Sequence, residues 1–408
     1  MSEKTATPFV HVVQRAGITA SKQIVIRLAA IVLALVTGGL FLLALGQNPL
    51  DIYGTMVSGA LGSSIAFRET VKIAIPLCVT ALGVTLAFKM KFWNIGAEGQ
   101  ICMGAIAGSF FAYTFGKTWP LGLLIPVMLI AGILFGGLWG MIPAWFKTRF
   151  GTNETLFTLM LNYVAQYFIQ YLREGPWKDP TAMGFPIMPR FEKAARLPKV
   201  LGIHMGWIVA LALVALVFFY LRYTKHGYEL TVVGANENTA RYAGMPVKKI
   251  ILRTMFLSAA ICGLAGVMQV SGADMQLTDS VAGGVGFTAI IVSWLARLSP
   301  LGILVTSFLF GVLEKATVKN LTVGSTGDKI TVTGTAGAGT AIAGVAAFAT
   351  ESVIESVTNN VSISFEAEDP AGTLVMLAGI AGQMSGTTIG GTSAAVKCAN
   401  NGDITDLK

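Results

Sequence analysis

For its first three-quarters the chain repeats one pattern: a long apolar run, then a short polar break. A bilayer-crossing helix needs about 20 mostly apolar residues, with a range of about 17 to 25. Seven stretches meet or approach that length, at 28–45, 73–88, 101–116, 121–146, 155–172, 207–223 and 250–270. Two shorter runs follow, at 288–296 and 301–313. Each is too short to span alone, so half-helices, a re-entrant pair or spans with polar extensions all fit. The first run reads as a retained anchor, because a long polar-to-mixed segment precedes it and no small-residue cleavage site follows. The expected fold is an all-α polytopic membrane protein with about 8–10 transmembrane or half-spanning helices. The expected division is a segment at 1–27, a membrane domain at 28–313 and an atypical region at 314–408.

Composition supports the bilayer. Hydrophobic residues make up 54% of the 408, and charged residues 12%, about half the share of an ordinary soluble domain. Mean hydropathy is +0.68. Cys78, Cys102 and Cys262 sit inside apolar runs, where a thiol behaves as a small hydrophobe rather than as part of a disulfide framework. The net charge of +8 is an average of unlike parts. Residues 1–313 carry 24 Lys and Arg against 12 Asp and Glu, whereas residues 314–408 carry five against nine. If the N-terminus is cytoplasmic, inside segments hold fourteen basic residues and outside segments nine. That bias favours N-in. Trp93, Trp119, Trp145 and Trp207 fall at or near span ends, where an indole suits the headgroup region.

Catalytic signatures are absent from the sequence. The three histidines are far apart, and no HExxH, CxxC or Walker A string occurs. The expectation is therefore a non-enzyme with no metal, no cofactor and no ATP site of its own. Acidic residues are scarce in the apolar runs, which argues against an ion-coupled transporter. No selectivity-filter string supports a channel. Glu98 and Glu154 lie at span starts, where the helix dipole favours negative charge.

Two stretches carry candidate function. Thr155, Thr158, Asn162, Gln166 and Gln170 share one face of the fifth run, beside Tyr163, Tyr167 and Tyr171. That face could line a path for a neutral polar solute, or glue helices by hydrogen bonds. Ser258, Cys262 and Gly266 recur every four residues in the seventh run, a pattern for close helix packing. Between the sixth and seventh runs, Asn236 can cap a short helix through Tyr242, with Gly244 and Pro246 to end it. Such a capped helix suits docking to another protein, with Glu237 and Arg241 as candidate contacts. A plain basic connector is the alternative.

Several strings resemble a known family. They are Asn94-Ile-Gly-Ala-Glu-Gly-Gln100, Asn153-Glu154, Met160-Leu-Asn-Tyr163, the 234–246 stretch, Gly286-Phe-Thr288, Ser299-Pro-Leu-Gly302 and Leu309–Glu314. In this order they resemble permease subunits of ABC importers for simple sugars and nucleosides, within the ribose and branched-chain amino-acid permease group. The resemblance marks Asn94, Gly96, Glu98, Gly99, Asn153 and Glu154 as family positions. It implies transport across a bacterial inner membrane and three partners: a cytoplasmic ATPase, a second related permease and an external binding lipoprotein. It also implies that Asn236–Gly244 transmits the ATPase stroke. An ion-coupled transporter or channel, or a membrane protein whose function lives in its tail, are the rival readings.

The likeness stops near Glu314. Residues 314–408 hold 49 Gly, Ala, Ser and Thr among 95. Segments 330–334 and 361–365 alternate like strands. A divergent or frameshifted end, a foreign fusion, and weakly apolar helices all fit this composition.

Overall fold

The apolar runs fold as helices, the first two starting eight and nine residues ahead of their runs, at Ala20 and Ser64. The computed structural model describes residues 20–44, 46, 48–180, 182 and 186–315, together with short strands between 322 and 407. Residues 1–55 and 56–408 form two compact units. In the first, α1 (Ala20–Ala44) precedes the start of α2 (Pro49–Leu61). The Tyr53 hydroxyl donates to the Leu35 carbonyl at 2.8 Å. Most apolar side chains of α1, such as Leu33 and Phe41, are exposed, as suits a helix facing lipid.

The second unit contains α3 (Ser64–Lys89), α4 (Ala97–Phe115), α5 (Leu121–Phe150) and α6 (Glu154–Glu174). After a short hairpin of β1 (Lys199–Val200) and β2 (Ile203–His204) come α7 (Gly206–Tyr223), α8 (Lys225–Ala235) and α9 (Glu237–Tyr242). Next are α10 (Val247–Met268), α11 (Val285–Leu295) and α12 (Pro300–Glu314). Four described helices are long and apolar enough to cross a membrane: Ser64–Lys89, Leu121–Phe150, Gly206–Tyr223 and Val247–Asp274. Helices α2 and α8 have no counterpart in the apolar pattern. Asp51 and Tyr53 interrupt α2, and Lys225, His226 and Glu229 interrupt α8.

The core forms where α10 crosses α4 and α5. A Cβ on Gly263 would collide with the Gly132 carbonyl oxygen and come 2.8 Å from the Gly136 Cα. One on Gly104 would collide with Gly263 itself. Three backbones therefore touch without side chains between them, the geometry that small residues permit inside membranes. The four-residue pattern on α10 serves the same purpose. Gly83 of α3 packs on the Ser258 carbonyl and the Cys262 sulfur, while Gly266 packs on α4.

The bundle has two distinct ends. Met90, Lys91, Phe92, Lys147 and Gly234 border one shared hollow at the first, here termed the basic end. At the opposite end Phe191 N–H donates to the Met275 carbonyl at 2.7 Å, and Leu197 N–H to the Ser271 carbonyl at 2.9 Å. Helix α10 starts at the basic end. Past Met268 it loosens into a π-turn, Gln269–Asp274, and stops at Met275 with φ +56°. The chain then re-enters the bundle. Val285 borders the same cleft as Pro76, the thirteenth of the 26 residues of α3, so α11 begins about halfway along the bundle. It ends beside Phe88, whose ring lies 5.7 Å from Trp294. Helix α12 then runs back to the opposite end, where Gly311 meets Thr70 and Ala74. Of the options for the two short runs, the half-helix and re-entrant geometry is the one observed.

Beyond Thr322 the described elements are strands, not weakly apolar helices. The two alternating segments form β4 (Lys329–Thr333) and β9 (Ser362–Glu366), which pair in parallel with Ile330 opposite Ile363. Val375 faces Thr340, Ala381 faces Ala346 and Thr388 faces Val353, each 35 residues apart, and the other parallel pairs are 33 to 41 residues apart. Parallel pairing at similar separations is the pattern of stacked chain turns.

Replacing Gly263 by Val should destabilise the bundle by at least about 1–3 kcal/mol, the usual cost of overpacking. A lower melting temperature in detergent and less monodisperse protein would show it. Wild-type stability would contradict the close crossing.

Candidate functional site

The segment from Asn94 to Gln100 acts as a buried clip at the start of α4. The Asn94 side-chain oxygen accepts from Gly96 N–H at 3.0 Å and from the Gln100 amide at 3.1 Å. On one side the clip holds α6. Ile95 N–H donates to the Thr158 hydroxyl (3.2 Å), Gly99 N–H to the Asn162 side-chain oxygen (2.8 Å), and the Asn162 amide to the Ile95 carbonyl (2.9 Å). On its other side Glu98, 2% exposed, accepts from the N–H groups of Gly284 and Gly286, both at 2.7 Å. Those amides belong to the first turn of α11, whose positive dipole end favours an anion. Gly284 sits at φ +84° and Gly283 at +50°, conformations that glycine adopts without strain. Asn153 caps α6 by accepting from Thr155 and Leu156 N–H, and Glu154 pairs with Lys147 of α5 at 2.5 Å.

The expected polar face of α6 divides in two. Thr158 and Asn162 are buried and hydrogen-bonded to the clip, which is the helix-gluing arrangement. Gln166 is half-buried and Gln170 is exposed, bonded to Glu174 at 3.0 Å. Tyr163, Tyr167 and Tyr171 all point outward, each more than half exposed.

At the end of the bundle opposite the basic end, a cleft of about 260 Å³ lies between α3, the π-turn, the 275–284 segment and the end of α12. Glu69 and Lys72 pair there at 2.7 Å, and Gln269 donates to Asp274 at 2.9 Å. Asp279 in the same segment pairs with Arg173 of α6. His204 packs against Gly272 of the π-turn. Burial, with Lys72 and Lys199 nearby, pushes its pKa down to about 4, so it is neutral at pH 7. Sequence reasoning missed this cleft. Its signals were the brevity of the 288–296 run and the Gly283-Gly284 pair before it.

At the basic end, Asn236 caps α9 by accepting from Asn238 and Thr239 N–H. Gly244, at φ +73°, ends it. Arg241 reaches Glu237 one turn back at 2.5 Å, and Tyr242 is 94% exposed. Helix α8 anchors α9 to the bundle: Glu229 accepts from Arg253 of α10 at 2.9 Å. Arg253 holds the Glu229 carboxyl below the usual carboxylate range. This tether therefore acts fully above that range and is lost as pH falls through the lowered value. No group of three or more metal-ligating side chains occurs among the described residues.

Glu98→Ala should leave two backbone N–H groups without an acceptor, at about 1–3 kcal/mol each. Its melting temperature should fall further than that of Glu98→Gln, which keeps one acceptor oxygen. Equal melting temperatures for both variants and wild type would refute the clip.

Residues 66–325 match the family model described as the branched-chain amino acid transport system / permease component. The chain is 35% identical over 293 residues to the glucose ABC transporter permease protein of Haloferax volcanii, covering 69% of this chain and 76% of that protein. It is 31% identical over 302 residues to the guanosine ABC transporter permease protein of Bacillus subtilis, covering 71% and 84%. It is also 31% identical over 307 residues to the nucleoside ABC transporter permease protein of Lactococcus lactis subsp. cremoris, covering 72% and 84%. The matched region includes the clip, the broken helix and α9. The chain therefore belongs to the permease-component family of branched-chain amino-acid-type transport systems, as a multi-pass membrane subunit of an ABC transporter.

Proposed function

We propose that this chain is a permease subunit of an ATP-driven importer that carries nucleosides or related simple sugars across a bacterial plasma membrane. The observation that carries the reading is α9, a short helix capped at both ends and exposed at the basic end. It is fixed to α10 through α8 by the Glu229–Arg253 bond. A part built this way can receive a push from outside the bundle and pass it to a membrane helix. The basic end then faces the cytoplasm, in keeping with the lysine and arginine bias, and a partner ATPase binds and hydrolyses the ATP. The binding lipoprotein docks at the opposite end.

The outward face of α6 meets the second permease. Three phenols along that face would lack hydrogen-bond partners in lipid, an expensive arrangement. Facing a related subunit across a hydrated solute path, they find partners. The solute class rests on the named activities of the relatives.

Arg241→Glu replaces the α9 ion pair by two like charges one turn apart. Uptake of labelled nucleoside or sugar into vesicles carrying the full complex should fall at least about tenfold, about 1.4 kcal/mol in coupling, with the subunit still in the membrane. Normal uptake would count against docking at α9. Uptake that survives ATP depletion but collapses with an uncoupler would sink the ABC reading.

A further inference from the structure

We infer that the cleft bordered by α3, the π-turn, the 275–284 segment and the end of α12 binds a neutral polyhydroxylated ring, the size of a monosaccharide or the sugar half of a nucleoside. That such a ring is cargo rests on the permease reading above. The binding itself follows from the cleft.

The first observation is the backbone. Non-helical chain at membrane depth is tolerated only where protein buries it or it lines a water-filled cavity. Here α10 gives way to a π-turn, and the next helix does not begin until halfway along the bundle. π-Turns of this kind accompany functional sites. The second observation is size. About 260 Å³ is slightly below the range of about 300–1,000 Å³ typical of drug-sized pockets. It has room for one ring.

The third observation is chemistry. Glu69, Asp274 and Glu314 supply three carboxylates, against the two ammonium groups of Lys72 and Lys315. Carboxylates are acceptors with several lone pairs, suited to hydroxyl donors and poorly suited to phosphate. Gln269 and Ser280 add groups that both donate and accept. Ile73, Pro76 and Val281 provide an apolar wall for the C–H face of a ring. The cleft thus combines apolar surface with a few placed polar groups, the usual make-up of a small-molecule site. Its acidic balance selects against nucleotides and sugar phosphates.

Ser280 is exposed, whereas Cys78, Cys102 and Cys262 are buried. A Ser280→Cys variant, with Cys398 changed to Ser, therefore reports on the cleft. The full complex would be placed in proteoliposomes and labelled with a membrane-impermeant maleimide. Ribose, glucose or guanosine at about ten times its dissociation constant should slow labelling about tenfold. Ribose and guanosine run separately distinguish a free sugar from a nucleoside. Guanosine monophosphate should give no protection. Equal protection by the nucleotide, or none by any ring, overturns the proposal. Protection by the ligand-free lipoprotein alone also overturns it, and assigns the cleft to protein docking. If Ser280→Cys does not reach the membrane, Ile73→Cys on the facing wall is read the same way. ATP-dependent uptake in the same vesicles separates the two ideas. Protection without ATP dependence removes only the importer reading, and ATP-driven uptake without protection removes only the cleft.

Discussion

A buried carboxylate with no lysine or arginine partner among the described residues organises the centre of this bundle. Helix α11 begins inside the protein, where its Gly286 N–H is buried and its Gly284 N–H partly so. Each such group left unpaired costs about 1–3 kcal/mol. Glu98 accepts two of them, at Gly284 and Gly286, and the helix dipole steadies its charge in return. The broken helix, the return through α12 and the cleft above them all presuppose this arrangement. A side chain at 98 too short to reach Gly284 and Gly286 would leave the half-helix without an anchor.

The same clip explains why a motif read for its family likeness has physical content. Gly99 lies against the Asn162 backbone, so a Cβ there would meet it at 3.0 Å. Asn94 folds the loop, Asn162 grips it from α6, and Glu98 grips α11. Two groups of residues that look independent along the chain, the 94–100 string and the upper part of the α6 polar face, meet in one hydrogen-bonded knot.

Much of the fold was legible because membrane helices announce themselves by length and apolarity. Nine apolar runs became nine helices, and Asn236 and Gly244 bounded α9 as their side-chain and backbone chemistry dictates. What stayed hidden depends on distance along the chain. Glu98 and Gly284 are separated by 186 residues, and no local pattern pairs them. Periodicity placed Thr158, Asn162 and Gln170 on one face, but it cannot say which residues a neighbouring helix occupies. Helix α8 stayed hidden because it is polar, and the π-turn because its sequence differs little from ordinary helix. The alternation at 330–334 and 361–365 did forecast strands, yet nothing in it reveals that those strands lie side by side.

The glycine crossing of α4, α5 and α10 also governs how the molecule can move. Backbones in direct contact have no side chains to reorient and little space to yield, so the three helices behave as one stiff body. From Val247 to the end of the π-turn that body includes 28 residues of continuous helix, about 42 Å at 1.5 Å per residue. One tip is bonded to α8 beside α9, and the other borders the cleft. A tilt of about 5° about Gly263 moves the second tip, about 16 Å away, by about an ångström. The bundle is thus geared as a lever, with its fulcrum at Gly263.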